Sequence, residues 1–264
     1  MAVEEKVIIL DFGGQYTQLI ARMIREQKVY CEIKPYNVSL EELLQGKPSA
    51  LIFSGGPASV YEPEAPCCDP RFYRLGIPVL GICYGMQLMA RDLGGEVVQA
   101  PNQEYGRTFL SVIESGELLK GLGKKFEAWM SHADQVTAVP PGFRVLAQSK
   151  DTPVAAMADE TAKLYGLQFH PEVIHTPQGQ AILGNFLFRI CRFSGKWTME
   201  SFVESSIREI REQVGPHGRA VCGLSGGVDS SVAAMLVHKA IGSRLFCIFV
   251  DHGLLRKGEK EEVL

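Results

Sequence analysis

Apolar residues come in short blocks along this chain, separated by glycine turns and by stretches where they recur at helical spacing. Lys6–Asp11 (KVIILD) predicts a buried strand, closed by Gly13-Gly14. From Tyr16 to Glu26 the spacing predicts a helix with Leu19, Ile20, Met23 and Ile24 on one face. Ser39-x-x-Glu42 has the form of a capping box and opens a short helix through Leu44. Ala50–Ser54 predicts another strand, followed by Gly55-Gly56-Pro57, and Pro78–Ile82 predicts one that runs straight into a helix from about Tyr84 to Leu93. This alternation implies an α/β fold, with a mostly parallel sheet flanked by helices on both faces.

The rhythm changes between Glu96 and Gln168. Phe109–Ile113, Val145–Gln148 and Val154–Met157 are strand-like, with turn residues between them, and Leu164–Phe169 reads as a central strand that returns to the sheet. An amphipathic helix over Gln178–Phe193 closes a first domain, residues 1–196. Residues 197–217 then form a connecting segment, with a helix over Thr198–Val214 ended by Gly215-Pro216. From 218 a second β-α-β begins: strand Ala220–Leu224, a glycine loop, a helix from Ser230 to about Ala240 and strand Leu245–Val250. Such a short unit buries little apolar area, so the second domain, 218–264, is expected to be incomplete. A last helical run, KGEKEEVL, ends the sequence.

Composition narrows the class. The 264 residues are 46% hydrophobic and 22% charged, with a net charge of −3, an ordinary globular mixture. No basic block suits a nucleic-acid scaffold, and no apolar run approaches the roughly 20 residues of a membrane span. The acidic start, MAVEEKVIIL, is unlike a secretory signal. Seven cysteines, an odd number without a Cys-x-x-Cys pair, argue against a disulfide framework and a zinc site, and a reduced cytoplasmic setting is expected.

One cysteine stands apart. Gly81-Ile82-Cys83-Tyr84-Gly85 lies between a buried strand and a helix, in the G-x-nucleophile-x-G form of a strained elbow. The helix start turns positive dipole toward the sulfur, which favours thiolate. His170 ends the LYGLQF strand and so emerges at the same carboxyl edge of the sheet, where it can act as base. Glu172, two residues on, can orient the imidazole. Backbone N–H groups at Gly55-Gly56, with that of Tyr84, are candidates for an oxyanion hole. A lone cysteine or histidine is more often a core residue; the set is what points to chemistry.

The stretches FSGGPASVYE, GICYGMQLMA and GLQFHPEV resemble the signature regions of class I glutamine amidotransferases, over about Lys6 to Phe193. The resemblance implies a flavodoxin-like sheet, attack of Cys83 on the glutamine amide, proton transfer by His170 assisted by Glu172, and release of ammonia and glutamate. It also implies that Gln87, Ser131, His132 and Asp134 hold glutamine; Ala133 stands where many members carry Gly.

A second chemical motif lies in the last fifth of the chain. Ser225-Gly226-Gly227-Val228-Asp229-Ser230-Ser231 follows a strand and opens a helix, so its N–H groups and hydroxyls can meet phosphate. It lacks the lysine of a Walker loop. Asp229 would repel phosphate unless a cation intervenes, which suggests Mg²⁺. The heptad resembles the pyrophosphate loop of N-type ATP pyrophosphatases, whose domain is Rossmann-like, and Val250–Arg256 resembles that group as well, with His252 where Asn is common. An amidotransferase joined to this loop resembles the glutamine-hydrolysing GMP synthetases. That implies glutamine, ATP and XMP as substrates, ATP entering with Mg²⁺, no permanent cofactor and a homodimer in the full-length family; no residues are expected to form a metal site of the chain's own. Two other readings stay open: a glutaminase serving another ATP-dependent acceptor, and a non-catalytic amidotransferase-like binder. These 264 residues alone are expected to make no GMP from XMP, ATP and ammonium, and detection of GMP in that assay would overturn the expectation.

Overall fold

The computed structural model describes residues 5–251 and Gly258. They fall into two compact units that divide between Lys196 and Trp197.

The first unit is built on a nine-stranded sheet. Its strands in chain order are β1 Lys6–Asp11, β2 Tyr30–Pro35, β3 Ala50–Phe53, β4 Val79–Ile82, β5 Glu96–Val112, β6 Lys125–Ala138, β7 Arg144–Gln148, β8 Ala156–Asp159 and β9 Leu164–Leu167. Spatially they run β2-β1-β3-β4-β9-β8-β7-β5-β6. Pairing is parallel from β2 to β9 and antiparallel from β9 to β6. The change at Glu96 in the sequence pattern therefore marks an antiparallel extension.

The inner parallel strands β1, β3, β4 and β9 carry buried, largely apolar runs because both faces are covered. Val7 and Ile9 enter one core together with Ala50 and Ile52. Ile8 and Leu10 enter the other with Leu51 and Phe53. Each Val, Ile, Leu or Phe among them contributes about 1.5–3 kcal/mol on full burial. Helices α1 (Thr17–Glu26) and α4 (Gly179–Gly184) close the first face, while α2 (Leu40–Gln45) and α3 (Tyr84–Asp92) close the second.

Four details differ from the sequence pattern. The inward face of α1 is Thr17, Ile20, Ala21 and Ile24; Leu19 is exposed and Met23 only half-buried. At α2, Ser39 Oγ accepts from Glu42 N–H at 3.1 Å, but the Glu42 carboxylate takes Lys34 Nζ at 3.0 Å. The expected helix over Gln178–Phe193 widens after Gly184 into a π-helical segment, Asn185–Ile190. There Cys191 N–H reaches back to Phe186 C=O at 2.9 Å. Widening seats both Phe186 and Leu187 in the core while Asn185 holds the carbonyls of Leu118 and Lys120. Finally, β6 escaped the periodicity altogether. Its inward positions run Phe126, Ala128, Met130, His132, Asp134, so polar residues break the apolar alternation.

The second unit holds α5 (Met199–Val214), β10 (Ala220–Leu224), α6 (Val228–Ile241) and β11 (Leu245–Phe249). Strands β10 and β11 pair in parallel. Helix α5, expected as a connector, is tied to α6: Arg211 donates to the carbonyls of Ala240 and Lys239 at 2.9 and 3.1 Å. Apart from Gly258, the segment after Asp251 lies outside the described residues, with His252 and the expected run KGEKEEVL. Among the described residues, no helix is long and apolar enough to cross a membrane.

The β4–α3 junction is packed backbone against backbone. A Cβ on Gly81 would lie 2.5 Å from Gly85 C=O, and one on Gly85 would lie 2.5 Å from Phe53 C=O. Neither obstacle is a side chain that could swing aside. Gly85→Ala should therefore cost about 1–3 kcal/mol or more and lower Tm by several degrees. Gly123→Ala, whose Cβ would meet only Lys125 C=O at 3.5 Å, should leave Tm nearly unchanged. Equal melting of the two variants would contradict this packing.

Candidate active site

Strands β3, β4 and β9 are neighbours, and the chain leaves each of them at the same carboxyl edge. Gly55-Gly56 follow β3, Cys83 follows β4, and His170 lies three residues beyond β9. Cys83 has φ 52° and ψ −107°, a left-handed conformation that a non-glycine residue holds only under constraint. The constraint is visible. Cys83 N–H bonds Leu167 C=O at 2.7 Å, Cys83 C=O accepts from Met86 and Gln87 N–H, and Gly85 N–H bonds Ser54 C=O at 3.1 Å.

His170 and Glu172 are both buried, and His170 Nδ1 lies 2.7 Å from Glu172 Oε1. The second carboxylate oxygen of Glu172 has no partner among the described residues. Burial works against a charged imidazole, but the Cys83 and Glu172 side chains outweigh it, so His170 is held well above the usual imidazole range. Tyr16, at the start of α1, sets its ring edge-on to His170 at 5.1 Å. Thr176 Oγ1 donates to His170 C=O at 2.6 Å and accepts from Trp129 N–H at 3.0 Å.

Cys83 and His170 open into a cavity of about 640 Å³, together with Gly55, Gly56, Gln87 and Tyr16. That volume suits a small polar ligand. Ser131, His132, Ala133 and Asp134 of β6 form another wall. Cys83 Sγ points toward Ser131 C=O at 3.7 Å. Asp134 Oδ1 accepts from Tyr61 OH at 2.5 Å. Gln87 is buried, and its Nε2 donates to Asp134 C=O at 2.7 Å and to Gln168 Oε1 at 3.3 Å. This side chain therefore ties α3 to β6 and to the residue that follows β9, as well as facing the cavity. His132 is buried with Nε2 3.5 Å from Glu104 Oε2 and 3.4 Å from Thr152 Oγ1. Burial lowers its pKa, against the pull of Glu104. Tyr84 is the first residue of α3, so its N–H has no acceptor within the helix.

Sequence reasoning did not single out Tyr16, Tyr61 or Gln168. Gln168 was accessible, since it lies two residues before His170 on an extended segment and so on the same face. Tyr16 follows the Gly13-Gly14 turn that leaves β1 at this edge, a weaker signal. Tyr61 lies within the FSGGPASVYE stretch, but no spacing or turn there gives it a role.

In the second unit, Ser225–Ser231 links β10 to α6. Gly226 has φ 79° and Gly227 caps the helix. The hydroxyls are engaged within the loop. Ser230 and Ser231 Oγ each donate to Gly227 C=O at 3.0 Å, and Ser225 Oγ lies 3.1 Å from Ser230 Oγ. Val228 and Asp229 are exposed at the start of α6. Among the described residues, no cluster of His, Cys, Asp or Glu is arranged to hold a metal ion. All seven cysteines are free; Cys67 and Cys247 are exposed.

Glu172→Gln removes a charge that favours protonated His170, so the His170 pKa should fall. Titration of the labelled imidazole by NMR measures this directly, and an unchanged midpoint would contradict the electrostatic role of the pair.

Comparison with known proteins follows the same division. The family model described as "Glutamine amidotransferase class-I" matches residues 8–190, and the model described as "NAD synthase" matches residues 199–255. A protein of Carboxydothermus hydrogenoformans named GMP synthase [glutamine-hydrolyzing] is 61% identical over 259 residues, which is 98% of this chain and 51% of that protein. One of the same name from Symbiobacterium thermophilum is 57% identical, over 98% of this chain and 50% of that protein. The chain thus spans about half the length of these curated relatives. The crystal structure of a Thermoplasma acidophilum protein, provisionally assigned to GMP synthase, superimposes with a TM-score of 0.65 at 31% identity, over 79% of this chain and 98% of that one. With its elbow cysteine, its half-parallel sheet and a family match over most of its length, the chain belongs to the class I glutamine amidotransferases.

Proposed function

We propose that the first unit hydrolyses the side-chain amide of glutamine, with Cys83 as nucleophile, His170 as proton carrier and Glu172 as the group that orients it. The reading rests on one observation above all: Cys83, held at φ 52° on the elbow, and His170, backed by the buried Glu172, line the same cavity.

The chemistry follows from that arrangement. Cys83 Sγ attacks the amide carbon, and the proton it loses resides on His170. The carbonyl oxygen becomes an oxyanion, for which the N–H groups of Gly56 and Tyr84 are the candidate donors, with Gly55 shaping the approach. Collapse breaks the C–N bond. His170 gives its proton to the leaving nitrogen, ammonia departs, and a glutamyl thioester remains. A water molecule, deprotonated by His170, then releases glutamate and restores the thiol. Gln87, Ser131, His132 and Asp134 are read as the walls that seat glutamine.

The ammonia is read as serving ATP-dependent amination of XMP to GMP. Relatives that align along both units carry the name GMP synthase, whereas the NAD synthase model matches the second unit only. In this reading ATP adenylylates an oxygen of XMP, pyrophosphate leaves, and ammonia displaces AMP. The loop 225–231 would receive the phosphates on its backbone N–H groups and the N-terminus of α6. Asp229, exposed beside them, fits the carboxylate that a Mg²⁺–ATP substrate needs.

The decisive test is glutamate release from glutamine. Cys83→Ala should lower it by about 10⁴-fold or more, and a diazoketone analogue of glutamine should label Cys83 in preference to Cys67 and Cys68. Unchanged release by the variant, or equal labelling of the three, would reject the assignment.

A further inference from the structure

Ser54 is the last residue before the Gly55-Gly56 pair and is completely buried. Each of its polar groups is committed to a different segment. Its N–H bonds Leu10 C=O at 3.0 Å, at the end of β1. Its C=O accepts from Gly85 N–H at 3.1 Å, in the first turn of α3. Its Oγ accepts from Phe12 N–H at 3.0 Å and donates to the C=O of the adjoining Gly55 at 2.8 Å. A serine hydroxyl has one proton to give, and here it goes to the Gly55 carbonyl.

That carbonyl belongs to the same peptide plane as Gly56 N–H. The peptide is trans, as no cis bond occurs among the described residues. Carbonyl and N–H therefore point in opposite directions. Fixing the one on Ser54 fixes the other, turned away from the hydroxyl. The need for a lock is physical. A peptide between two glycines is among the freest to rotate, because neither residue has a Cβ to restrict φ and ψ. Gly14 completes the seat from the other side: a Cβ there would lie 2.4 Å from Gly55 C=O, so only glycine lets the carbonyl settle. Around the same peptide, a Cβ on Gly55 would lie 3.2 Å from His170 Cε1 and 3.7 Å from Cys83 Cβ, which places it against both side chains.

We propose that Ser54 is a positioning residue that locks the Gly55–Gly56 peptide, so that Gly56 N–H stands ready to donate a hydrogen bond to an anion before substrate arrives. Ser54 itself never touches the substrate. The inference rests on the glutaminase reading for its catalytic consequence, but the lock is a property of the resting protein and is measurable without turnover.

Two measurements on Ser54→Ala test it. In the chain labelled with ¹⁵N-glycine, wild type should give one sharp Gly56 amide resonance, and the variant a split, broadened or displaced one. In glutamate release, kcat should fall by about 10²-fold, the scale of one lost oxyanion donor, with KM within about twofold. Ser54→Thr, which keeps the hydroxyl, should recover most of the loss. Should Ser54→Ala fail to fold, Ser54→Cys and Gly14→Ala disturb the same carbonyl and should show the same Gly56 response. An unmoved Gly56 resonance, or a rise in KM at unchanged kcat, overturns the proposal. Failure of the glutaminase reading would look different: Cys83→Ala would release glutamate like wild type while the Gly56 response to Ser54→Ala persisted.

Discussion

Everything at this site depends on reversing the chain between β4 and α3 within a single residue. Cys83 must take a left-handed conformation for the strand to enter the helix with the thiol exposed to the cavity. That conformation is unfavourable by about 1–3 kcal/mol. It is over-determined by its surroundings. The Cys83 N–H is held by Leu167 on one side, and Gly85 is held by Ser54 on the other. Neither contact can form unless Gly81 and Gly85 approach backbone more closely than any Cβ allows. The elbow is therefore a property of three adjacent strands, β3, β4 and β9, rather than of a pentapeptide.

The same three strands explain why the polar groups of the site tolerate burial. His170, Glu172, Gln87 and Ser54 all lie in a region with little access to solvent, and each has hydrogen-bond partners. A buried polar group without partners costs about 1–3 kcal/mol, so this network stabilises only while it is complete. Its least satisfied member is the second Glu172 oxygen, and Glu172 is absent from the cavity lining that includes His170. The carboxylate thus acts on His170 through one short contact, consistent with an orienting part.

The antiparallel extension does something separate. It brings β6 beside the segment that follows β9, where Trp129 C=O receives His170 N–H at 3.0 Å. The wall containing Ser131, His132 and Asp134 is delivered by this crossing. Ser131, more than 40 positions from Cys83 in sequence, becomes its neighbour through this tertiary arrangement.

The sequence by itself determined strands with unbroken apolar interiors, such as β1 and β4, because a strand covered on both faces leaves such a run. It also marked the elbow glycines and the His-x-Glu spacing, since these are local requirements of a tight turn and of two side chains on one face. Local pattern could not reveal β6, whose inward residues include His132 and Asp134. Nor could it tell that Leu19 faces solvent while Thr17 is buried, because both lie near the border of the helix's apolar stripe and packing decides between them. Tertiary structure alone decided which donor meets which acceptor: Ser54 with Phe12, Tyr16 with His170, Gln87 with Asp134. Hydrogen bonds and ring contacts between distant segments depend on distances of a few tenths of an ångström, and those are set only when the whole sheet has closed.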